Sequence, residues 1–247
     1  MTFKILTAAI LSSTVACPAL AQDSSWTGEG SLGAGYTTGN TETSDFGLGL
    51  KLARETGDWK TSIEALADYG KTDGVETKNR AFVAGQMDRD FGERTFGFGR
   101  LSYERDEFSG FESRAFAGAG LGYRILVGET TSWSVEGGPG VKFDEVRETV
   151  QPGPVIVPGE TVTSFSAIGA SKFAHAFNDN VKLTNDTNVL YAETSTQLSN
   201  SLAVTAALAG ALSARFSFNV RYDTDPPPGF EQTDTVTRVS LVYAFGE

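Results

Sequence analysis

Trp59-Lys60-Thr61-Ser62-Ile63-Glu64-Ala65-Leu66-Ala67-Asp68-Tyr69 decides the fold. Trp59, Thr61, Ile63, Ala65, Ala67 and Tyr69 hold the odd positions, against Lys60, Glu64 and Asp68 on the even ones. This is period two, which keeps one face apolar in an extended strand and cannot do so in a helix. The stretch opens on a Trp and closes on a Tyr ten residues later, and the spacing recurs as Trp26 with Tyr36 and Trp133 with Phe143. Ten residues at about 3.3 Å rise, tilted near 40°, span roughly 25 Å of membrane normal, the height of an outer-membrane barrel's apolar band. Paired aromatics at that separation read as girdles at two membrane interfaces. Tyr103 and Tyr191 finish two more strands at the same end as Tyr36 and Tyr69. The chain is therefore predicted to be all-β, an antiparallel transmembrane β-barrel.

The same alternation extends along the chain. A first strand over about 25–37 puts Trp26, Leu32, Ala34 and Tyr36 on one face, with Glu29 and Ser31 on the other. After a Gly39-Asn40 turn, the second sets Phe46, Leu48, Leu50 and Leu52 against Asp45 and Lys51. Further strands are expected near 78–89, 95–105, 113–126, 132–146, 161–174, 180–191, 198–208, 212–223 and 233–245. With the first three they make about twelve, an even number that puts both termini on the periplasmic side. Short returns near 55–58, 90–94, 127–131, 175–179 and 209–211 alternate with longer connections near 38–44, 70–77, 106–112, 147–160, 192–197 and 224–232. Short periplasmic turns and longer outer loops are the rule in such barrels. Two places strain the pattern. Pro139 sits inside the seventh strand, where a lost ladder bond points to a bulge, and the parity slips between Phe98 and Leu101.

The N-terminus reads as a secretory signal over residues 1–21: Lys4, then the apolar Ile5 to Ala16, then Ala19-Leu20-Ala21 as the cleavage site. A single barrel domain over 22–247 follows. Thr14-Val15-Ala16-Cys17 also resembles a lipoprotein box, with Thr where Leu is usual; whether Cys17 is acylated stays open. Cleavage after Ala21 removes the only cysteine, and with it any disulfide or thiolate metal site. No apolar run beyond residue 22 is long enough for a membrane helix. A net charge of −11 argues against a nucleic-acid partner.

The chain resembles the YdiY-like salt-induced outer-membrane protein family, a β-barrel domain of unknown function. The likeness is carried by Trp26-Thr-Gly, Thr38-Gly39-Asn40 and the run Tyr103-Glu-Arg-Asp106-Glu-Phe108-Ser-Gly110 leading to Arg114 and Gly120-Leu-Gly-Tyr123. At the C-terminus it continues through Arg221-Tyr222-Asp223, a Pro-rich loop and Leu241-Val-Tyr243-Ala-Phe245. The resemblance implies a small outer-membrane barrel tied by name to salt stress, and no established activity. The last strand looks like the signal read by the barrel assembly machinery, although Gly246 and Glu247 follow the usual terminal Phe. The expected surroundings are outer-membrane lipid and lipopolysaccharide, with the protein a monomer.

Chemistry is sparse. The one histidine, His175 in Phe173-Ala-His-Ala-Phe177, falls beside a periplasmic turn, the wrong end for the known barrel lipases and proteases. It reads as a polar residue between two girdle phenylalanines, so no catalytic residue, cofactor or metal site is assigned. Asp106, Glu107 and Glu112 form an acidic outer loop, read as solvated because no fixed spacing of oxygen ligands appears. The longest loop, Glu148 to Glu160, carries Val155-Ile156-Val157 between prolines, an apolar patch for a constriction, a partner or neighbouring loops. Arg54, Arg80, Arg100, Arg114, Arg124, Lys142 and Arg221 are candidates for the lumen, with Asp45, Glu64, Asp68, Glu104, Glu136 and Asp144. Twelve strands lie between barrels filled by side chains and barrels with water channels. Charges that cross-link plug the lumen; acids and bases on opposite walls leave a path for small polar solutes. The expected function is a narrow passive channel or an envelope-integrity protein without enzymatic activity. The alternatives are a barrel hydrolase acting on lipid or peptidoglycan, and a structural or adhesive barrel acting through its outer loops.

Overall fold

The computed structural model describes residues 25–38, 43–72, 74–150, 156–157, 159–226 and 229–246. The signal segment with Cys17, the Gly39-Asn40 turn and Val155 lie outside them. Twelve antiparallel strands close into a barrel. They are β1 (Trp26–Thr38), β2 (Thr43–Thr56), β3 (Trp59–Thr72), β4 (Val75–Asp90), β5 (Thr95–Asp106) and β6 (Phe111–Val127). Then come β7 (Thr131–Val146), β8 (Glu160–Asn178), β9 (Val181–Ala192), β10 (Thr196–Ala209), β11 (Leu212–Asp223) and β12 (Thr233–Phe245). Each strand pairs with its neighbours in sequence, and β12 pairs with β1 from Phe245 opposite Gly28 to Thr235 opposite Thr38. No sheet edge is left open in the barrel.

The tight returns at the end that holds the termini need residues that tolerate a left-handed backbone. Gly57 (φ 58°) and Gly210 (φ 54°) supply it between β2 and β3 and between β10 and β11. At the other end the strands run further than alternation alone predicts. β3 and β4 continue to Thr72 opposite Val75, so the connection expected over 70–77 shrinks to 73–74. The long 147–159 connection carries its own two-rung ladder, Thr149 with Val157 and Val150 with Ile156.

The barrel is inside-out relative to a soluble protein. Phe165 is 83% exposed on the outer wall, while Lys142 is 1% exposed inside. Leu32, Phe46, Leu48, Leu101, Leu121, Phe216, Val239 and Leu241 share the outer wall with Phe165. Neither the parity slip nor the bulge expected from the sequence shifts the register. Pairing of β4 with β5 is unbroken from Arg80 opposite Asp106 to Asp90 opposite Phe96. Phe96 and Phe98 simply face inward, with Gly97 and Gly99 on the lipid side. Around Pro139 the register is continuous, with Gly118 opposite Gly140 and Leu121 opposite Gly137 on the β6 side, and Ala167 opposite Pro139 on the β8 side. β6 and β7 come unusually close there, where a methyl on Gly120 would overlap the Gly137 carbonyl, and the ladder skips Ala119 and Gly120 without changing register. The real register shifts lie near strand ends, at Gly70/Lys71, Phe111/Ser113, Arg124/Leu126, Ala176/Asn178 and Ala207/Ala209.

Candidate functional site

Charged residues at inward positions on adjacent strands meet as rungs of the ladder. Near the outer end, Asp68 faces Arg80, Arg80 faces Asp106, Glu104 faces Arg114, and Arg114 faces Asp144. The sign therefore alternates strand by strand from β3 to β7. Arg80 uses both ends of its fork, with Nη1 3.3 Å from Asp68 Oδ2 and Nη2 3.1 Å from Glu104 Oε2. Lys142 lies 2.6 Å from Asp144 and donates at 3.0 Å to Ser195, which the β9–β10 connection brings to the rim.

Further bridges cross the lumen. Arg221 of β11 pairs with Glu104 of β5 and lies 3.7 Å from Asp106. Arg114 of β6 lies 3.5 Å from Asp223 of β11. In a closed ring of twelve, β5 and β11 are six strands apart, on opposite walls. Arg238 of β12 reaches Asp45 of β2 at 3.2 Å and Asp68 of β3 at 2.6 Å. Lys78 joins the same cluster by pairing with Asp45 and donating at 2.8 Å to Thr37.

Nearer the middle, Phe96, Phe98, Phe116 and Ile168 form an apolar cluster inside the barrel, with Leu190 against it. The rings have room because the wall beneath them is glycine. A methyl on Gly122 would overlap the Phe96 ring, and one on Gly140 the Phe116 ring. Toward the end that holds the termini Glu136 accepts from Gln86 at 3.1 Å and from Lys172 at 3.2 Å. Arg215 clasps Glu29 through two bonds of 2.7 Å each, the bidentate geometry that makes such pairs strong.

Of the lumen candidates, Arg80, Arg114, Arg221, Asp45, Asp68 and Glu104 come together in the outer belt, with Lys142 and Asp144 beside it. Arg100 approaches Gln86 at 3.5 Å, Glu64 meets Lys51 at 3.7 Å, and Arg124 pairs with Asp90 at 2.6 Å above the Phe96 ring. Arg54 is not among them. It continues the outward set of Phe46, Leu48 and Leu50 and stacks over Trp26 at 5.9 Å. Arg238, Arg215, Lys78 and Glu29 belong inside and were not singled out as candidates. The signal was present for Arg238, since the alternation of Val239, Leu241 and Tyr243 outward sends position 238 inward.

The girdle residues Trp26, Trp59, Trp133, Tyr36, Tyr69, Tyr103, Phe143 and Tyr191 are all exposed on the outer wall. His175 shares a 2.8 Å hydrogen bond with Thr131 at the end that holds the termini, its ring edge-on to Phe177 at 4.9 Å. The acidic loop is not one cluster, since Asp106 turns inward to Arg221 while Glu107 pairs with Arg105 at 3.6 Å. Among the described residues no group of His, Cys, Asp and Glu gathers for a metal ion.

A family model described as "Protein of unknown function, DUF481" matches residues 30–245, and the chain belongs to that family. The uncharacterized protein YdiY of Escherichia coli (strain K12) is 29% identical over 224 residues, 87% of this chain and 82% of that protein. Among solved structures, the NanC porin superposes with a TM-score of 0.57 at 9% identity, covering 87% of this chain and 98% of that one. The translocator domain of the autotransporter NalP from Neisseria meningitidis gives 0.53 at 13% identity, over 89% and 88% of the two chains. An outer membrane channel from Pseudomonas putida F1 gives 0.52 at 8% identity, over 91% and 97%. At such identities the likeness is one of fold: a β-barrel of the outer-membrane type.

Proposed function

We propose that this member of the DUF481 family is a non-enzymatic outer-membrane barrel held shut at its outer end by its own ion pairs, serving envelope integrity. It is exported on the segment 1–21, inserted by the barrel assembly machinery and seated as a monomer among phospholipid and lipopolysaccharide. The observation that carries the reading is the contact of Arg221 on β11 with Glu104 on β5, opposite walls of the ring. Acids and bases alternate around the outer belt instead of lining separate walls, so each charge is engaged by a neighbour. A permanent path for solutes needs those side chains to lie back, which breaks partly buried pairs on both walls. A wall braced from within resists deformation, which fits the link to salt or osmotic stress that the family resemblance carries.

One observation favours a second reading, a narrow channel for small ions. The Nε atoms of Arg80, Arg114 and Arg238 are buried without a hydrogen-bond partner among the described residues. Buried donors of this kind are ordinarily satisfied by water, so the spaces between the bridges are hydrated. Conductance in a planar bilayer separates the two readings. The refolded mature protein is expected to be electrically silent, with or without residues 148–160. The Arg114→Gln/Arg221→Gln variant, which removes the bridges of Arg221 to Glu104 and Asp106 and of Arg114 to Asp223, is expected to conduct. Steady, ion-selective conductance of the unaltered protein would establish the channel instead.

A further inference from the structure

A polar patch interrupts the lipid-facing wall: Ser171 on β8, Asn185 and Thr187 on β9, and Asn200 on β10. Parity puts all four outside. Ser171 keeps step with Phe165, Asn185 and Thr187 with Tyr191, and Asn200 with Leu202 and Val204, all exposed on the outer wall. Register gathers them, since Thr187 lies directly opposite Ser171 on one side and Asn200 on the other. Asn185 and Asn200 exchange amide hydrogen bonds at 3.3 Å, and Asn200 also donates to Thr187 at 2.8 Å. Ser171 accepts from the Trp133 indole at 3.0 Å. Along β9 and β10 the patch has Leu183 and Val204 toward the termini, and Val189, Leu198 and Tyr191 toward the other end. It therefore sits within the apolar band, away from either row of headgroups.

We infer that seated barrels pair through this patch, one copy against a second, about a two-fold axis along the membrane normal. The inference rests on the reading of the chain as an outer-membrane barrel and goes beyond it: each monomer is closed and complete, and pairing joins monomers already in the bilayer. Hydrocarbon offers no hydrogen bonds, so polar side chains on a lipid-facing wall gain most where they meet other polar groups. The bonds within one barrel do not exhaust these four. An amide carries two N–H donors and a carbonyl with two lone pairs, and Asn185 donates once within the patch. Among the described residues the Ser171 and Thr187 hydroxyls accept and do not donate. A second copy supplies the matching groups. An axis along the normal keeps every side chain at its own depth, so patch meets patch. Because an amide is donor and acceptor at once, the N–H of each copy meets the carbonyl of the other, and no charge opposes its like. Beside the patch the wall is low. Gly169 lies opposite Gly137, and a methyl on Gly169 would meet nothing within 4 Å, so packing inside the barrel does not call for a glycine there.

Energy transfer between refolded mature barrels tests the pairing, with donor and acceptor dyes on Glu193→Cys, an exposed site in the β9–β10 connection. In vesicles diluted with lipid until chance encounters give no signal, barrels with the patch intact are expected to keep their transfer. Asn185→Leu/Asn200→Leu is expected to lower it at least fivefold. Thr61→Leu on β3, six strands around the ring from β9, is expected to leave it unchanged. Sedimentation equilibrium in density-matched detergent is expected to give the mass of two chains for the intact patch and of one chain for the Leu variant. Resistance of each variant to SDS without heating confirms a closed barrel. Transfer that vanishes on dilution, or equal transfer from the Leu variant and the intact patch, overturns the inference. The patch lies outside the lumen, so conductance of the same vesicles tells a failure of pairing from a failure of the shut barrel.

Discussion

Arg238 on the last strand reaches across β1 and β2 to place Nη2 2.6 Å from Asp68 Oδ1 on β3. The reach depends on what is missing beneath it. Gly47 on β2 has no side chain, and a methyl built there would sit 2.5 Å from the guanidinium carbon. Gly35 on β1 clears the adjoining space, where a methyl would lie 3.2 Å from Arg238 Nε and 2.5 Å from Asp45 Oδ1. Two inward glycines thus form the trough in which one arginine of β12 crosses β1 to pair with acids on β2 and β3.

Gly47→Ala should therefore destabilise the barrel by about 1–3 kcal/mol, the usual range for overpacking. Urea unfolding in lipid vesicles measures it. In an Arg238→Ala background the same substitution should cost less, because the nearest atoms it strikes have gone and only Asp68 Oδ1, at 2.8 Å, is left to give way. An equal cost in both backgrounds would mean that the glycine serves the strand and not the arginine.

Lys142 is enclosed between Asp144 and Ser195. Lys142→Met leaves a buried carboxylate without its cation and should cost about 3–5 kcal/mol. Adding Asp144→Asn should recover much of that loss. Hydrogen exchange at residues 193–195 should speed up in both variants, since the Ser195 tether is lost in each.

On the lipid-facing wall, Asn185 and Asn200 donate to each other's carbonyl oxygens at 3.3 Å, and Asn200 also donates to Thr187 at 2.8 Å. Asn185→Leu alone strands an amide against hydrocarbon and should cost about 1–3 kcal/mol. Asn185→Leu/Asn200→Leu removes both partners and should be closer to neutral, or stabilising. Unfolding free energies of the two variants in the same vesicles decide the matter.

The inward turn of Phe96 and Phe98 can be read directly. With Cys17 removed along with the proposed signal, single cysteines can be introduced without background. A fluorophore on Leu101→Cys, Leu121→Cys or Phe165→Cys should be quenched by brominated lipid. One on Phe98→Cys or Glu104→Cys should not be. Quenching at 98 would restore the slipped parity.

Much of this was legible in single strands. Period two, the ten-residue aromatic spacing and the alternation of turn lengths are local, and they carry strand number and facing. Arg54 shows where a residue's chemistry outweighed its position: charge argued for the lumen, while parity with Phe46 and Leu50 put it outside. Phe96 is the reverse, an aromatic that belongs inside because Gly122 on β6 leaves room for its ring. That room is set on the next strand, so no short window around Phe96 contains it. The pairing of Arg221 with Glu104 is further still from view, separated by 117 positions. It depends on which strands end up diametrically opposed, and closure alone decides that.

Closure also sets when the interior charges find each other. Asp45 and Asp68 belong to the second and third strands, and Arg238 to the twelfth. Before β12 docks on β1, those two carboxylates lack Arg238 and can be neutralised only by neighbours such as Lys78 and Arg80, or by water. Joining the first strand to the last is thus also the step that brings a β12 cation to these two carboxylates. The seam is held by a backbone ladder and, from within, by an arginine that no partly built sheet can satisfy.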